Sequence, residues 1–414
     1  MSGNTILVAG GGFSGITAAL EAAELGYEVI LVEKNPYLGG RVAQLNQYFP
    51  KLCPPSCGLE IQFQRIRNNP RITVLTMAQV TKVSGQPGNF EVTVAIAPRY
   101  VNEKCTMCDA CAEAAQTSVA CEFDLGMGMR KVAFKPNVFA FPPRYVFEKE
   151  RCSEAEAKKI EASCVYGAID LADKERTQVF NVGVIVQATG WKPYDMAKLT
   201  NLGAGKLTNV ISNMQMERLC APGGPTGGLL LRPSDKTPPK RVAFVQCAGS
   251  RDENHLNYCS YICCMASLKQ VTYVRERVPE AQVTVYYIDL RTPGRYQKFL
   301  EKVSADPKLS LVKGKVADLS QSASGKVLAT VENVETGIKN IEEFDLVVLA
   351  TGMQPSTAGQ SVAVNAPKDE EGFFIADGPG VIPTGCAKLP LDVMRSAQSA
   401  TGAALKAIQT VVGR

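Results

Sequence analysis

Residues 5–33 constrain the fold more than any other stretch of this chain. Thr5-Ile6-Leu7-Val8-Ala9 is an apolar run of strand character that ends in glycines, and Gly10, Gly12 and Gly15 complete a Gly-x-Gly-x-x-Gly spacing. A helical pattern follows, with Ile16, Ala19, Leu20 and Ala23 recurring every three or four residues, and Gly26 stops it. A second apolar strand, Glu28-Val29-Ile30-Leu31-Val32, ends in Glu33, 18 residues past Gly15. A strand that turns into a helix through glycines lets backbone approach a pyrophosphate at the unpaired N–H groups of the helix start. An acid ending the next strand then reaches a ribose hydroxyl. The register predicts a dinucleotide-binding βαβ unit with Gly10, Gly12, Ser14, Gly15, Glu33 and Lys34 at the ligand. A tight βα turn without ligand is the plainer alternative.

The next residues narrow the ligand. Asn35-Pro36-Tyr37-Leu38-Gly39-Gly40-Arg41 resembles the second glycine signature of FAD-binding proteins with two dinucleotide folds. There Gly39, Gly40 and Arg41 would pack beside the pyrophosphate. That family also carries Ala-Thr-Gly turns at strand ends, and this chain has Ala188-Thr189-Gly190 and Ala350-Thr351-Gly352. Its closing motif ends in Gly-Asp, the Asp reaching the ribityl chain, whereas here Gly385 is followed by Cys386. Backbone amides at the start of a last helix, from about Asp392, remain available for the flavin edge. The resemblance implies FAD contacts at Ala188, Thr189, Gly190, Gly352, Gly385 and Cys386.

A second Rossmann-like domain is expected from the strand Arg241-Val242-Ala243-Phe244-Val245, where nucleotide-binding glycines belong. Instead the chain reads Gln246-Cys247-Ala248-Gly249-Ser250-Arg251, with Cys259, Cys263 and Cys264 following. A helix would present Cys259 and Cys263 on one face, at i and i+4, with Cys264 at the side and Cys247 opposite. These four thiols read as the ligands of a [4Fe–4S] cluster in place of NAD(P). Inert thiols in a packed core are the alternative.

The chain has 14 cysteines in 414 residues and a single histidine, His255. It opens on a strand with no secretory leader, and no apolar run reaches the ~18–20 residues of a membrane helix. A cytoplasmic location is expected, with membrane association only through partner subunits. Clustered cysteines in a reducing compartment point to metal or redox chemistry rather than disulfides. One histidine argues against haem or mixed His/Cys zinc sites, and His255, in a polar stretch, reads as structural. A net charge of +5 with 21% charged residues gives no argument for nucleic acid.

Residues 99–175 interrupt the flavoprotein order. Cys105-x-x-Cys108-x-x-Cys111 begins like a bacterial ferredoxin run, and Cys164-Val165-Tyr166-Gly167-Ala168-Ile169 resembles the end of the second run, with Val165 in place of proline. Cys105, Cys108, Cys111 and Cys164 thus make one [4Fe–4S] ligand set. The second set has decayed, with Ala115 at its crossing position and only Cys152 before Ser153. Zinc on the same four thiols and a metal-free relict are the alternatives, and Cys121 and Cys152 are spare. Cys53-Pro54-Pro55-Ser56-Cys57 reads either as a redox dithiol or as a structural loop. Cys220, beside a glycine-rich loop at 223–228, receives no role, and no catalytic residue stands out.

Taken together, the Gly10–Gly15 fingerprint, the three-cysteine run, Glu122-Phe123-Asp124-Leu125-Gly126, Gly223-Gly224-Pro225-Thr226-Gly227-Gly228, Cys247-Ala248-Gly249-Ser250-Arg251-Asp252, Tyr258-Cys259-x-x-x-Cys263-Cys264 and Gly385-Cys386-Ala387 resemble the A subunits of heterodisulfide reductases and their relatives. The resemblance implies a thioredoxin reductase-like α/β flavoprotein with a degenerate ferredoxin-like insert, carrying FAD and two [4Fe–4S] clusters. The expected domains are an FAD-binding Rossmann domain over 1–98, the insert over 99–175, the FAD domain continued over 176–238, the cluster-bearing second Rossmann-like domain over 239–345, and the C-terminal FAD part over 346–414. Methanogen-type members are longer and end in a two-cluster ferredoxin module. The chain ends at Arg414, so within the family the nearest likeness is to the A-type flavoprotein of the quinone-interacting membrane-bound oxidoreductase of sulfate reducers. That likeness implies an electron-transfer subunit between a membrane quinone module and a soluble sulfur-metabolism partner, adenylylsulfate reductase. Its neighbours would be a second A-like flavoprotein and a quinone-reactive membrane protein. The alternatives are a place in a soluble sulfur-oxidation or flavin-bifurcating complex and a stand-alone NAD(P)H or disulfide reductase. The last needs a second glycine fingerprint, which the chain lacks.

Overall fold

The computed structural model describes residues 2–413 except Ser361 and Asn365. The chain forms two compact units, residues 1–191 with 355–414, and residues 192–354. The first unit is built on a five-stranded parallel sheet in the order Val381–Pro383, Val184–Gln187, Thr5–Ala9, Glu28–Glu33, Ile72–Thr76. Its central strands are covered on both faces, which is why they read as continuous apolar runs: Ile6, Leu7, Val8, Leu31 and Ile185 are wholly buried. Each such side chain contributes roughly 1.5–3 kcal/mol when removed from water. Helix α1 (Phe13–Glu24) lies on this sheet with its alanine-rich face against the last helix, so that Ala18, Ala19 and Ala22 share one core with Ala400, Ala403 and Ala407. Small side chains let these helices approach closely. Helix α2 (Ser56–Arg67) adds Leu59, Phe63 and Ile66 to that core. An antiparallel three-stranded sheet, Ala78–Gln86, Asn89–Ile96 and Arg176–Val182, covers the other face.

The insert is part of this first unit. Its short helices α3 (Ala110–Ala114) and α4 (Glu154–Ala162) and two small hairpins enclose a core of Tyr100, Val132, Phe147 and Ile160. Arg99 anchors it: the buried guanidinium donates to Tyr145 O (2.9 Å), Arg144 O (2.9 Å), Pro36 O (3.0 Å) and Thr76 Oγ1 (3.1 Å). One side chain therefore joins the insert to the turn after Glu33.

The second unit carries a seven-stranded sheet in the order Val210–Ser212, Leu346–Thr351, Arg241–Ala248, Gln282–Tyr287, Leu309–Gln321, Val327–Asn333, Lys339–Phe344. The first five strands run parallel and the last two antiparallel. Helices α5 (Asn213–Cys220), α6 (Cys263–Arg277) and α7 (Gln297–Ser304) accompany it. Between α5 and α6, Lys269 Nζ and Glu217 Oε1 form a buried ion pair at 3.0 Å, and Gln270 and Tyr273 also bond the Glu217 carboxylate (2.7 and 3.1 Å). The expected boundaries differ from this division. Residues 192–238 and 346–354 fall in the second unit and not in the FAD domain, because Val210–Ser212 pairs with Leu346–Thr351, which pairs with Arg241–Ala248.

Candidate functional site

In the first unit a cavity of about 1560 Å³ opens over the C-terminal ends of the parallel strands, the usual ligand crevice of such sheets. It exceeds the roughly 300–1,000 Å³ of a drug-sized pocket. Its floor is the glycine turn. Gly10 has φ 114°, and a Cβ there would lie 2.3 Å from Ala188 O; at Gly15 it would lie 1.8 Å from Gly10 O. Those two glycines are needed by the fold. Gly12 is different: its φ of −73° suits any residue, and a Cβ would meet nothing nearer than Gly40 Cα at 3.9 Å. The space above Gly12, at the open N-terminus of α1, is left for a ligand.

Glu33 is buried at the cavity edge. Its Oε2 accepts from Gly11 N–H (2.7 Å), and its Oε1 accepts from the Asn35 backbone (2.8 Å) and side chain (2.7 Å). Burial raises its pKa against these bonds. Gly39 and Gly40 both have left-handed backbone (φ 104° and 54°), and a Cβ at Gly40 would press on Gly12 Cα at 2.9 Å. The two glycine signatures therefore touch, and Gly39 N–H donates to Gly11 O (2.8 Å). Arg41 lines the cavity, donating to Gln44 Oε1 (2.9 Å) and Trp191 O (3.5 Å). Neither partner neutralises its charge, and burial pulls its pKa down.

The far wall comes from strands and helices distant in sequence. Ala188, Thr189 and Gly190 line it, as do Cys386 and the start of α8 (Val393–Val411), where Asp392 caps Arg395 N–H at 2.7 Å. Thr189 Oγ1, Gln187 Oε1 and Asp392 Oδ2 are buried without a hydrogen-bond partner. Orphaned polar atoms around one cavity fit a polar ligand. Gly385, at φ 60°, lies against Ser14, and Gly15, Gly39 and Gly385 back the wall instead of facing the cavity. The Cys386 thiol is buried beside Leu391 O (3.5 Å) and Ser396 Oγ (3.7 Å), and burial raises its pKa. Gly352 does not belong here. It follows a strand of the second unit, where a Cβ would lie 2.4 Å from Ser250 Oγ. The Ala-Thr-Gly signature marks the end of a parallel strand, and the two copies end strands of different sheets. The insert supplies wall residues that local pattern could not reveal: Cys121, Phe123 and Leu125. Gln44 donates to Phe123 O (3.0 Å), and Arg130 clamps Glu122 (2.6 Å) and Glu148 (2.8 Å) while lying over the Phe134 ring. Cys121 is thus a wall residue of the large cavity.

Within the insert, Cys105, Cys111, Cys164 and Cys152 all pack against one small core, while Cys108 is exposed. Met107 and Asp109 take left-handed backbone (φ 61° and 71°), curling the run around its thiols. Cys111 is raised to about 12 by burial and then by Cys105 and Cys108, which face it. Ala168 N–H donates to Cys164 Sγ (3.3 Å). Ala115, where a crossing cysteine would stand, is buried in the core.

In the second unit the four expected thiols converge. The strand Arg241–Ala248 slips register against its neighbour between Val245 and Ala248, and Cys247 has φ 54°. Arg251 and Tyr261 are also left-handed (φ 57° and 65°). Such backbone costs a non-glycine residue about 1–2 kcal/mol, so this loop is shaped by more than local preference. The helix begins only at Cys263, so Cys259 lies in the preceding loop and not on a helix face with Cys263. Cys263 and Cys264 open the first turn of α6, whose N–H groups have no partner within the helix. Cys263 is raised by Cys264 and by burial; Cys264 is pulled down to about 7, chiefly by its bond with Cys263. Cys247 and Cys259 both act on Cys263. Tyr261 N–H donates to Cys259 Sγ (3.3 Å), and Arg251 and Arg291, each 3.0 Å from Asp289, flank the group. A depression of about 370 Å³ opens beside Cys259 and Arg291.

Among the described residues no three histidine, cysteine or acidic side chains stand close enough to grip one ion. A cubane spaces its thiolates farther apart than a single ion does. Soft donors, N–H groups aimed at sulfur and flanking guanidinium groups fit an iron–sulfur cluster better than a lone hard cation. His255 has a structural partner, Tyr194 OH, 2.8 Å from its Nδ1. Cys220 is buried at the end of α5, and burial raises it to about 12.

Residues 5–54 match the profile of the FAD dependent oxidoreductase family. The chain is 37% identical over 417 residues to an iron-sulfur A subunit of CoB–CoM heterodisulfide reductase from Methanopyrus kandleri, covering 97% of this chain and 63% of that protein. It is 34% identical over 420 residues to the A subunit of the ferredoxin/F(420)H(2)-dependent CoB–CoM heterodisulfide reductase of Methanosarcina acetivorans, covering 98% and 53%. The chain therefore spans between about half and two thirds of these relatives. Among solved structures, thioredoxin reductases of Lactococcus lactis (TM-score 0.56, 12% identity, 99% of this chain and 100% of that one) and T. acidophilum (0.54, 14%, 99% and 98%) share the fold. The chain has a thioredoxin reductase-like α/β fold, and its residues 5–54 carry the pattern of FAD dependent oxidoreductases. No described helix is long and apolar enough to cross a membrane.

Proposed function

The chain is a relative of heterodisulfide reductase A subunits along 97% of its length, and from that premise we propose an electron-transfer subunit with one FAD and two [4Fe–4S] clusters and no small substrate of its own. One observation carries this reading. In the first unit three residues, 10–12, separate strand from helix. In the second unit 14 residues, 249–262, separate Ala248 from Cys263. A pyrophosphate needs the short glycine turn, and the second unit has a thiol-bearing loop in its place. Tyr194 also fills the space beside Gly249, where a Cβ would meet its ring at 2.8 Å.

Gly10, Gly12 and Ser14 would receive the pyrophosphate, backed by Gly15, Gly39 and Gly40, with Arg41 countering its charge and Glu33 and Lys34 at the ribose. Ala188, Thr189, Gly190, Cys386 and the amides at the start of α8 would hold the flavin end, with Gly385 behind them. Cys105, Cys108, Cys111 and Cys164 would hold one cluster, and Cys247, Cys259, Cys263 and Cys264 the other. The proposed domains are the FAD-binding fold with its insert and the cluster-bearing second unit. Bound FAD would exchange electron pairs for single electrons, which the clusters carry. The protein's own part is to orient these groups, exclude water, and keep the Cys263-Cys264 thiolates stable at a helix N-terminus beside two arginines. We place the chain in a complex with a second A-like flavoprotein and a quinone-reactive membrane protein, delivering electrons to or from adenylylsulfate reductase. That placement rests on the motif likeness to the sulfate-reducer branch.

Anaerobic purification with metal analysis and EPR tests the reading. Flavin with about eight irons, two cubanes' worth, is expected. NADH and NADPH should fail to reduce the flavin, and Cys264→Ala should lose or convert one cluster signal. Flavin reduction by NADH together with native iron in that variant would overturn it.

A further inference from the structure

Cys53 and Cys57 belong to neither thiol set, and neither lines the large cavity. Tyr48 and Cys53 form an isolated bridge, Tyr48 N–H donating to Cys53 O (3.2 Å). Pro54 and Pro55 then fold the chain back, so that Cys57 N–H donates to Pro54 O (3.1 Å) and Cys57 enters the first turn of α2. The Tyr48 hydroxyl lies over that turn, 2.8 Å from where a Gly58 Cβ would stand. Cys53, half-buried, faces Tyr48 on one side and Cys57, which is exposed, on the other. The three groups form one cluster: an accessible thiol, a sheltered thiol facing it, and a phenol behind.

We propose that Cys53 and Cys57 are a reversible dithiol–disulfide site that exchanges with external low-molecular-weight disulfides, independently of the flavin. The exposed Cys57, as thiolate, attacks one sulfur of an external disulfide, forms a mixed disulfide and releases one thiol. The Cys53 thiolate then attacks Cys57 Sγ and releases the second thiol. The protein loses two electrons and two protons, and the external disulfide gains both. The spacing suits these roles: the turn at Pro54-Pro55 holds the resolving sulfur beside the attacking one, and the partial burial of Cys53 leaves the first attack to the exposed Cys57.

Trypsin should release both thiols on one peptide, Leu52–Arg65, which contains no other cysteine. The purified holoprotein is equilibrated anaerobically with mixtures of reduced and oxidised glutathione, alkylated, digested and weighed. Increasing oxidised glutathione should remove both alkyl labels from this peptide and leave it two hydrogens lighter, and dithiothreitol should restore both labels. In Cys53→Ser the glutathione adduct should stay on Cys57, while flavin absorbance and iron content match wild type. Full alkylation of both thiols at every ratio would overturn the proposal. So would a stable glutathione adduct on wild-type Cys57, or loss of iron or flavin in Cys53→Ser, which would make Cys53 a cofactor ligand.

Discussion

Replacing Gly12 with valine should remove the flavin and leave the fold intact, and Gly15→Ala is the contrast that makes the test informative. At Gly12 the backbone already has φ −73°, and a Cβ would stand 3.9 Å from its nearest neighbour, Gly40 Cα. The apoprotein therefore keeps its packing, and the expected cost is about 0.5–1 kcal/mol, that of a poorer N-cap residue than glycine at the start of α1. At Gly15 the added methyl would stand 1.8 Å from Gly10 O. That overlap forces backbone to move, and overpacking of this kind costs about 1–3 kcal/mol or more. Ligand linkage separates the two further. With free FAD at a hundred times its dissociation constant, wild type gains about 2.7 kcal/mol over its apo form. Gly12→Val should gain none, because its γ-carbons occupy the pyrophosphate's place. Urea titrations of apo and FAD-supplemented protein, with flavin occupancy read by absorbance, give all the quantities needed. Full occupancy in Gly12→Val would refute the placement of the ligand, and an apo Gly12→Val as unstable as Gly15→Ala would refute the claim that the space is kept for a ligand.

Cys164→Ser should lose about four irons, one cubane, and keep its flavin; unchanged iron by metal analysis would make Cys152, packed on the same core, the better ligand. Lys269→Met should remove the cation 3.0 Å from the buried Glu217 carboxylate and destabilise the second unit by about 3–5 kcal/mol, measured by denaturant unfolding. Glu156 accepts from Gln116 N–H (2.7 Å), Thr117 N–H (2.8 Å) and Thr117 Oγ1 (2.7 Å), so Glu156→Ala should cost about 1–3 kcal/mol. These bonds, that of Thr117 first, lower the folded Glu156 pKa below its ordinary 4.5. The stabilisation is therefore complete above pH 4.5 and lost as pH falls through the folded value. A wild-type minus variant difference that grows on acidification would contradict it.

How much could be read from the chain depended on distance along it. Residues 5–33 specify strand, turn, helix, strand and acid within one contiguous segment, and each step follows from local hydrogen bonding and side-chain period. The cysteine spacings are legible for the same reason: a run such as 105–111 folds around its own thiols. Contacts between distant segments were not legible. Nothing local tells the turn at Thr189-Gly190 from the one at Thr351-Gly352. The order of strands decides it, setting Val184–Gln187 beside Thr5–Ala9 and Leu346–Thr351 beside Arg241–Ala248. Nor does periodicity say that Cys259 stays off the helix, which begins only at Cys263 after the loop 249–262. Cys121 reaches the large cavity only because Arg99 and Arg130 hold the insert in place. The sequence by itself determined which chemistry the chain can carry, since donor atoms and glycines are local. The tertiary structure alone decided which of them face one another, since that depends on sheet order and on buried polar anchors between segments far apart in the chain.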